Sequence, residues 1–555
     1  VGGLAADALT DADFNVAVGY GALTSDTLGS MSVAVGYTAL GSQNMTTATN
    51  TLNVGVGQAA GSAITTGKEH TIIGGLAGDA LTTGDRNVAV GTNALGADTQ
   101  GSRNVAVGYD SLKTQNFTTG TNAYNVAVGY TAGGAVTTGL YNNLIGGEAG
   151  AALTSGGRNT VNGFGALGAD TLGSRAVAIG FGALDAQNFT TATDNYNVAV
   201  GYDAGGAVTT GIQNTIVGGL AADALTEGNY NVVLGMGTLS ADTKGSKTTA
   251  IGYHALNAQN FTTATDSNNT AVGYFAGDSV TTGIQNVLVG SEAGDLLTDA
   301  DYNTVVGHGA LSADVLGSQS TAMGVLALGA QNFTTATATY NTAMGSSAGR
   351  NVTTGVGNTF IGALAGNQST GAGVDNNTYV GFQAGRYTTS GEKNTFIGRY
   401  DGVTGLDLRT SSNNVVLSDG DGNIRLRIDN NGDAGIGVAT APDAKLIAMA
   451  ATGKTTFKCF NSAAGSQTYI AFNVSGGGTA TGSITTNGST TAYNTSSDYR
   501  LKENISELTG ATARLKQLAP KRFNFLTTPS ETVDGFLAHE VSSVVPEAIH
   551  GTKDE

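Results

Sequence analysis

The chain has 555 residues, among them 85 glycines, 4 prolines, no tryptophan and a single cysteine, with a net charge of -17. One cysteine, Cys459, cannot close an intrachain disulfide, so a secreted disulfide scaffold is excluded, and no apolar run or signal-peptide pattern predicts membrane insertion. The acidic balance argues against a nucleic-acid partner, which calls for a basic face, and favours solubility in something long and exposed.

From the first residues the motif Asn-Val-Ala-Val-Gly recurs, as in Asn15–Gly19, Asn87–Gly91 and Asn104–Gly108. Its glycines step by 17, 17 and 21, then repeatedly by 17, 17, 17 and 21, from Gly2 to Gly398, with one step of 19 near the end. Four coils make a super-repeat of 72 residues, far too regular for a globular enzyme. Each motif reads as a short strand in which the two valines share one face and the alanine takes the other. Glycine permits a tight bend, a second apolar point such as Ala22-Leu23 follows, and a polar turn leads to the next coil. A coil this short buries no core alone, whereas stacked coils bury one continuously. The expected fold is mainly β: a parallel β-solenoid or β-roll over residues 1–400, on the order of 100 Å long at ~4.8 Å per coil. Asparagines four before the glycine, such as Asn53, Asn87, Asn231 and Asn303, are expected to stack as an amide ladder at one corner.

The core is thin and its residues small on both faces, which predicts that one face packs against other copies of the chain as a homotrimer. The coil resembles the head repeat of trimeric bacterial adhesins, whose coils form a left-handed parallel β-roll. The strand matches that repeat well and the coil length poorly, so handedness comes from the resemblance alone.

The longer coils carry their extra residues around Gln43-Asn44-Met45, Gln115-Asn116-Phe117, Gln187-Asn188-Phe189, Gln259-Asn260-Phe261 and Gln331-Asn332-Phe333. These are either periodic sugar-contacting bumps or plugs in which the aromatic ring covers an inter-subunit seam. Tyrosines after the glycine, such as Tyr20, Tyr109 and Tyr202, fit sugar stacking or plain packing with a wet hydroxyl.

Between about 401 and 496 the period changes to a β-rich neck or tip. Asn414–Leu417 and Ile424–Asp429 alternate as strands around Asp-Gly turns. Asp419-x-Asp421-x-Asn423 looks like the start of a calcium loop. It lacks the glycine and the glutamate such a loop needs, at Ile424 and Asn430, so it is read as a hairpin turn. The histidines (His70, His254, His308, His539, His550) have no ligand spacing, and neither a metal site nor a cofactor is predicted. The aspartates of the repeat recur with its period, and none stands out as a glycosidase pair.

From Ser497 the composition turns charged and mixed α/β. Ala511 to Leu518 reads as a helix ended by Pro520, Arg522–Phe525 as a strand, and Gly535–Ala548 as a strand or turn into a short helix. The octet Ser497-Asp498-Tyr499-Arg500-Leu501-Lys502-Glu503-Asn504 puts a serine five residues ahead of a lysine, and a desolvated lysine can serve a serine as base. With the block Gly535-Phe536-Leu537-Ala538-His539-Glu540-Val541, it resembles the intramolecular chaperone autoprotease of phage tailspike endosialidases and tail fibres. That resemblance implies a domain that helps three chains assemble and then cuts itself off between Ser496 and Ser497. Ser497 matches the nucleophile and Lys502 the general base, with Asp498, Arg500 and Glu540 as supporting motif residues. The family's domain continues into helices beyond the point matching Glu555, so 497–555 is read as its start. The opening within a repeat likewise implies an upstream part.

The expectation is therefore a homotrimeric phage tail fibre for host attachment, carried in the virion and assembled in the host cytoplasm. Its partners would be two further copies, other tail proteins and a host-surface receptor, glycan or protein, with 440–496 as the binding tip. No turnover enzyme is expected, only a single-turnover serine–lysine self-cleavage. The alternatives are a bacterial trimeric surface adhesin and a polysaccharide-degrading tailspike, the latter needing an acidic pair that breaks the repeat.

Overall fold

The computed structural model describes residues 1–371, 374–437, 446–448, 467–472, 482–486, 491–495 and 502–550. They fall into two compact units, Val1–Lys454 and Thr455–Glu555.

The first unit is a parallel β-solenoid. Each coil contributes one three-residue strand, beginning with Val16–Val18, and successive strands pair parallel and in register. Val88, Ala89 and Val90 lie opposite Val105, Ala106 and Val107. The 21-residue step keeps the same register, with Val105, Ala106 and Val107 opposite Val126, Ala127 and Val128. Extra residues are therefore absorbed outside the strand. The middle residue of each strand points inward and is fully buried, as Ala89, Leu144 and Val233 are, while its two neighbours face outward. The strand valines thus lie largely outside the core, in contrast to the valine-containing core expected from the sequence.

Glycine at the strand end is set by space as well as by backbone angle. Gly180 has φ of 133°, and a Cβ built on it would sit 2.1 Å from the carbonyl oxygen of Gly201 in the next coil. Three further corners per coil are left-handed, and many are not glycine: Asn93, Leu95 and Arg103 have φ of 59°, 55° and 65°. Such corners cost roughly 1–2 kcal/mol each. Stacking offsets this by giving corner N–H groups partners in adjacent coils, as Asn93 N–H donates to Gly75 O (3.0 Å), Leu95 N–H to Ser111 O (2.9 Å) and Arg103 N–H to Asp85 O (2.9 Å).

The asparagine ladder is present in atomic detail. Asn231 Nδ2 donates to Gly245 O (3.0 Å), and its Oδ1 accepts from the N–H of Thr248 (2.9 Å) in the following coil. His70 occupies the same position in its coil. Its Nε2 lies 2.7 Å from Gly84 O and its Nδ1 accepts from Asn87 N–H at 3.2 Å, so the ring carries its proton on Nε2 and mimics an amide. Burial holds its pKa below the ordinary 6.5.

The core follows the super-repeat. Where the fourth residue after the strand glycine is leucine (Leu95, Leu112), the seventh is polar (Asp98, Gln115). Where the fourth is glycine (Gly78, Gly133), the seventh is aliphatic, as Leu81 and Val136 are, except in the last two such coils, where it is the buried Ser369 and Thr388. At Gly78 a Cβ would come 2.9 Å from Leu81 Cδ1, so the two positions fill one volume between them. The polar pair is fully buried. Asp98 accepts from Gly101 N–H, Phe117 N–H and Gln115 Nε2 at 3.0, 3.1 and 2.7 Å, and Gln115 Oε1 accepts from Asn125 Nδ2 at 2.8 Å. The same arrangement recurs around Asp26, Asp170, Asp242 and Asp314. Phe117, Phe189, Phe261 and Phe333 are buried within their own chain, so the long-coil insertion is a plug but not one that needs a neighbouring subunit to cover the ring.

Toward its carboxyl end the core changes. The inward strand residues become Phe360, Tyr379 and Phe396, and Tyr400 packs edge-on against Phe396. The sheet continues through Val415–Ser418 and then turns antiparallel through Ile424–Ile428 and Ala434–Ile436. The turn at Asp419 is a hairpin turn, its carboxylate accepting from Asp421 and Asn423 N–H groups and pairing with Arg425.

The second unit holds a three-stranded antiparallel sheet (467–472, 482–486, 491–495), followed by a helix at Ala511–Gln517 and a hairpin of Lys521–Phe525 with Thr528–Gly535. Residues Ala538–Val541 form a short helix, where the sequence left strand and turn open, and Pro546–Ala548 a 3-10 turn.

Two outcomes follow from these contacts. Gly180→Ala should disrupt stacking and lower the denaturation midpoint clearly, whereas Gly75→Ala, where an added Cβ meets nothing within 4 Å, should leave it within ~0.5 kcal/mol. A lowered histidine pKa means no effect at pH above 6.5 and a progressive loss of stability as pH falls below it. Wild type should therefore lose stability relative to His70→Asn below that pH and match it above. Hydrogen exchange at the Asn87 amide reports the difference locally.

Candidate functional site

Of the residues singled out for self-cleavage, Ser496, Ser497, Asp498 and Arg500 lie outside the described residues. Lys502 and Glu540 lie within them. Lys502 is exposed. Glu540 sits on the short helix Ala538–Val541, with a carboxylate oxygen 3.5 Å from Lys521 Nζ.

The module around them is tied together by polar contacts. Arg514, on the helix Ala511–Gln517, donates from Nε to Val544 O at 3.0 Å and pairs with Glu547. Arg522 and Asp534 form a two-pronged pair across the hairpin, at 2.6 and 2.9 Å. Phe523 and Phe525 meet edge to face. No described residue from 502 to 550 is buried. Leu515 is 68% exposed and Leu526 fully so, with Ile505, Leu508, Phe525 and Phe536 also open. A module of this size that leaves its large apolar side chains in water has no core of its own. A lysine serves a serine as base once its ammonium is desolvated.

Among the described residues no group of three or more histidine, cysteine, aspartate or glutamate side chains could hold a metal ion. His254 stacks on Tyr253 and lies 3.9 Å from Asp278, and His308 lies 4.0 Å from Glu292. The aspartates divide into two kinds. Asp98, Asp170, Asp242 and Asp314 are buried in the polar cages described above, and burial raises their pKa against the pull of their hydrogen bonds. Asp295 is pushed up to about 6, first by burial, with Glu292 and Asp278 adding repulsion. It occupies the coil position of Asp79, Asp223 and Asp278, so it follows the repeat and is not an exception to it. The buried carboxylates were not foreseen. Their signal is the Asp and Gln of two successive coils at a position that is aliphatic in the next two, as Val136 and Leu153 are.

Compared with known proteins, residues 497–550 match the family model described as chaperone of endosialidase. No curated protein and no solved structure matches the chain.

Proposed function

We propose that the chain is a homotrimeric phage tail fibre for host attachment whose carboxyl-terminal module directs assembly and then releases itself. The observation that carries this reading is the chaperone-of-endosialidase match at 497–550, placed behind a β-solenoid. Such a module behind such a rod fits a tail fibre or tailspike.

Two physical features support association of three copies. The outward strand face of the solenoid carries apolar side chains along its length, interleaved with threonines such as Thr215, Thr270 and Thr342, and Val16, Val18, Val232, Leu234, Met323 and Ile397 are each more than a third exposed. Beside it runs a column of stacked rings, including Tyr20–Tyr37, Tyr109–Tyr130 and Phe181–Tyr202 at 5.5 to 5.7 Å. A soluble monomer rarely exposes apolar patches beyond a few hundred Å². The module at 502–550 has the same need, since its apolar side chains lack cover within one chain.

Self-cleavage then follows assembly. With Lys502 desolvated between copies, its amine takes the proton of Ser497 Oγ as that oxygen attacks the carbonyl carbon of Ser496. The Ser496–Ser497 C–N bond breaks, the proton passes to the released amine, and water hydrolyses the resulting ester. Asp498, Arg500 and Glu540 are supporting residues in this scheme. Loss of the module leaves the trimer unable to refold by the same route, which makes its stability kinetic. Long parallel β-assemblies fold slowly and are exposed to mispairing, which is the problem such a device addresses.

Denaturing electrophoresis of wild type beside Ser497→Ala should show release of a carboxyl-terminal fragment in the first and an intact chain in the second. A wild type that stays intact, or a mutant that is cut, rules out the cleavage scheme. Light scattering should give the mass of three chains. Leu234→Glu, at a side chain 46% exposed in a single copy, should lower that mass or the thermal midpoint, an effect a monomeric rod would not show.

A further inference from the structure

We infer that a cleft at the carboxyl end of the solenoid binds one neutral, hexose-type sugar unit of a surface glycan. This rests on the attachment reading and assigns it a place. The cleft has a volume of about 290 Å³ and is lined by Gln368, Tyr387, Thr389, Asp401, Val403, Thr404 and Arg409, drawn from three successive turns. That size is at the lower end for ligand pockets and suits one sugar ring better than a peptide segment.

The cleft lies where the repeat is broken. The sixth residue after the strand glycine is small in most coils, as at Ala97, Ala135, Ala152 and Ala169. In the coil with the step of 19 and the one after it the same position holds Gln368 and Tyr387, next to Asn351 in the coil before. Residues serving only coil stacking would follow the period, and these two depart from it together, on adjacent coils, at the mouth of one cavity. The third wall is the loop after Tyr400, which has no counterpart in the preceding coils. It is braced from within: Asp401 Oδ1 accepts from Val403 and Thr404 N–H groups at 2.9 and 2.8 Å, and Asp401 Oδ2 from Thr404 Oγ1 at 2.9 Å. Tyr400 OH, beneath it, donates to Leu406 O at 2.5 Å. The wall is therefore built before any ligand arrives, which lowers the ordering cost of binding.

The lining selects the ligand class. Asp401 and Arg409 contribute opposite charges, and Arg409 is already paired with Asp407 at 2.7 Å, so no free cation awaits a phosphate or an acidic sugar. The backbone offers no free edge to a peptide strand, because Tyr387 N–H already donates to Asp401 O (2.9 Å) and Thr389 N–H to Arg409 O (2.8 Å). What remains is the half-buried Tyr387 ring, which carries the Arg386 guanidinium 5.0 Å from its centre and leaves one face for a ligand, beside Val403. Around it are the Gln368 amide and the hydroxyl oxygens of Thr389 and Thr404, which already donate to Arg409 O and Asp401 Oδ2 and can still accept. An apolar ring face edged by hydroxyls complements that arrangement.

The test uses the full-length protein on a panel of immobilised neutral hexose- and N-acetylhexosamine-terminated oligosaccharides, with labelled protein on host cells as a second readout. Wild type should bind some of the panel. Tyr387→Ala and Gln368→Ala should each weaken that binding about tenfold or more while the thermal midpoint and the oligomer mass stay unchanged. Binding by both variants at wild-type strength, or no wild-type binding to any neutral sugar, overturns the site. Variants that attach to cells as well as wild type overturn the cleft alone, whereas a wild type that attaches to no host cell overturns the attachment reading itself.

Discussion

The contact between strand-end glycines governs the solenoid. Each glycine carbonyl lies where the Cβ of the preceding coil's residue would be, at 2.1 to 2.7 Å along the column from Gly2 to Gly381. That closeness holds the coils at one spacing and one register, and everything else is arranged over it. Strands of only three residues make few hydrogen bonds each, and left-handed corners at leucine, tyrosine and arginine are unfavourable in isolation. Both become stable only because the glycine column lets every coil sit hard against the next, so that corner amides, asparagine side chains and the inward alanines all find partners at once. The structure is accordingly cooperative along its axis, and its stability resides in interfaces between coils more than in any coil.

The super-repeat adds a second level of order. Two coils fill one internal corner with the Asp–Gln pair and the next two with aliphatic side chains, and the pair reaches the asparagine ladder through Asn53, Asn125, Asn197, Asn269 and Asn341. A coil displaced by one place would set a buried carboxylate against leucine or valine, with no donor for its oxygens. Burying such a group unpaired costs several kcal/mol. The buried polar pairs thus mark position at intervals of 72 residues in a chain whose strands are otherwise interchangeable.

Much of this was legible in the sequence, because repetition averages away local ambiguity. One occurrence of Asn-Val-Ala-Val-Gly says little, but its recurrence with steps of 17 and 21 points to the strand, the bend and the parallel stacking together. Asn87 and its equivalents were placed in a ladder for the same reason. Three things were not legible. The role of His70 was hidden because its identity differs from the asparagine it replaces, although its two ring nitrogens reproduce the amide's donor and acceptor. The burial of Asp98 and Gln115 carries no signal in a single coil, because a polar residue there looks like surface. The facing of the strand was also ambiguous, since valine and alanine both suit a core and only the packed volume, small enough for Ala89 and Ala106 to lie inside, decides between them. At the carboxyl end the motif pointed to Ser497 and Lys502 by resemblance, and Ser497 lies outside the described residues.

A stack of identical coils has no intrinsic reason to stop. Its terminal strand presents the same unpaired amides that joined every earlier pair, and another rod of the same protein could dock there and extend it end to end. The rings of Phe360, Tyr379, Phe396 and Tyr400 enlarge the last layers of the core, and the sheet then reverses direction at Asp419. Two reversals bring Ala434–Ile436 back to the direction of the solenoid strands, so the one-strand-per-coil pattern gives way to a hairpin without a lasting change of polarity. What reads as packing detail marks the place where the coil stops being copied.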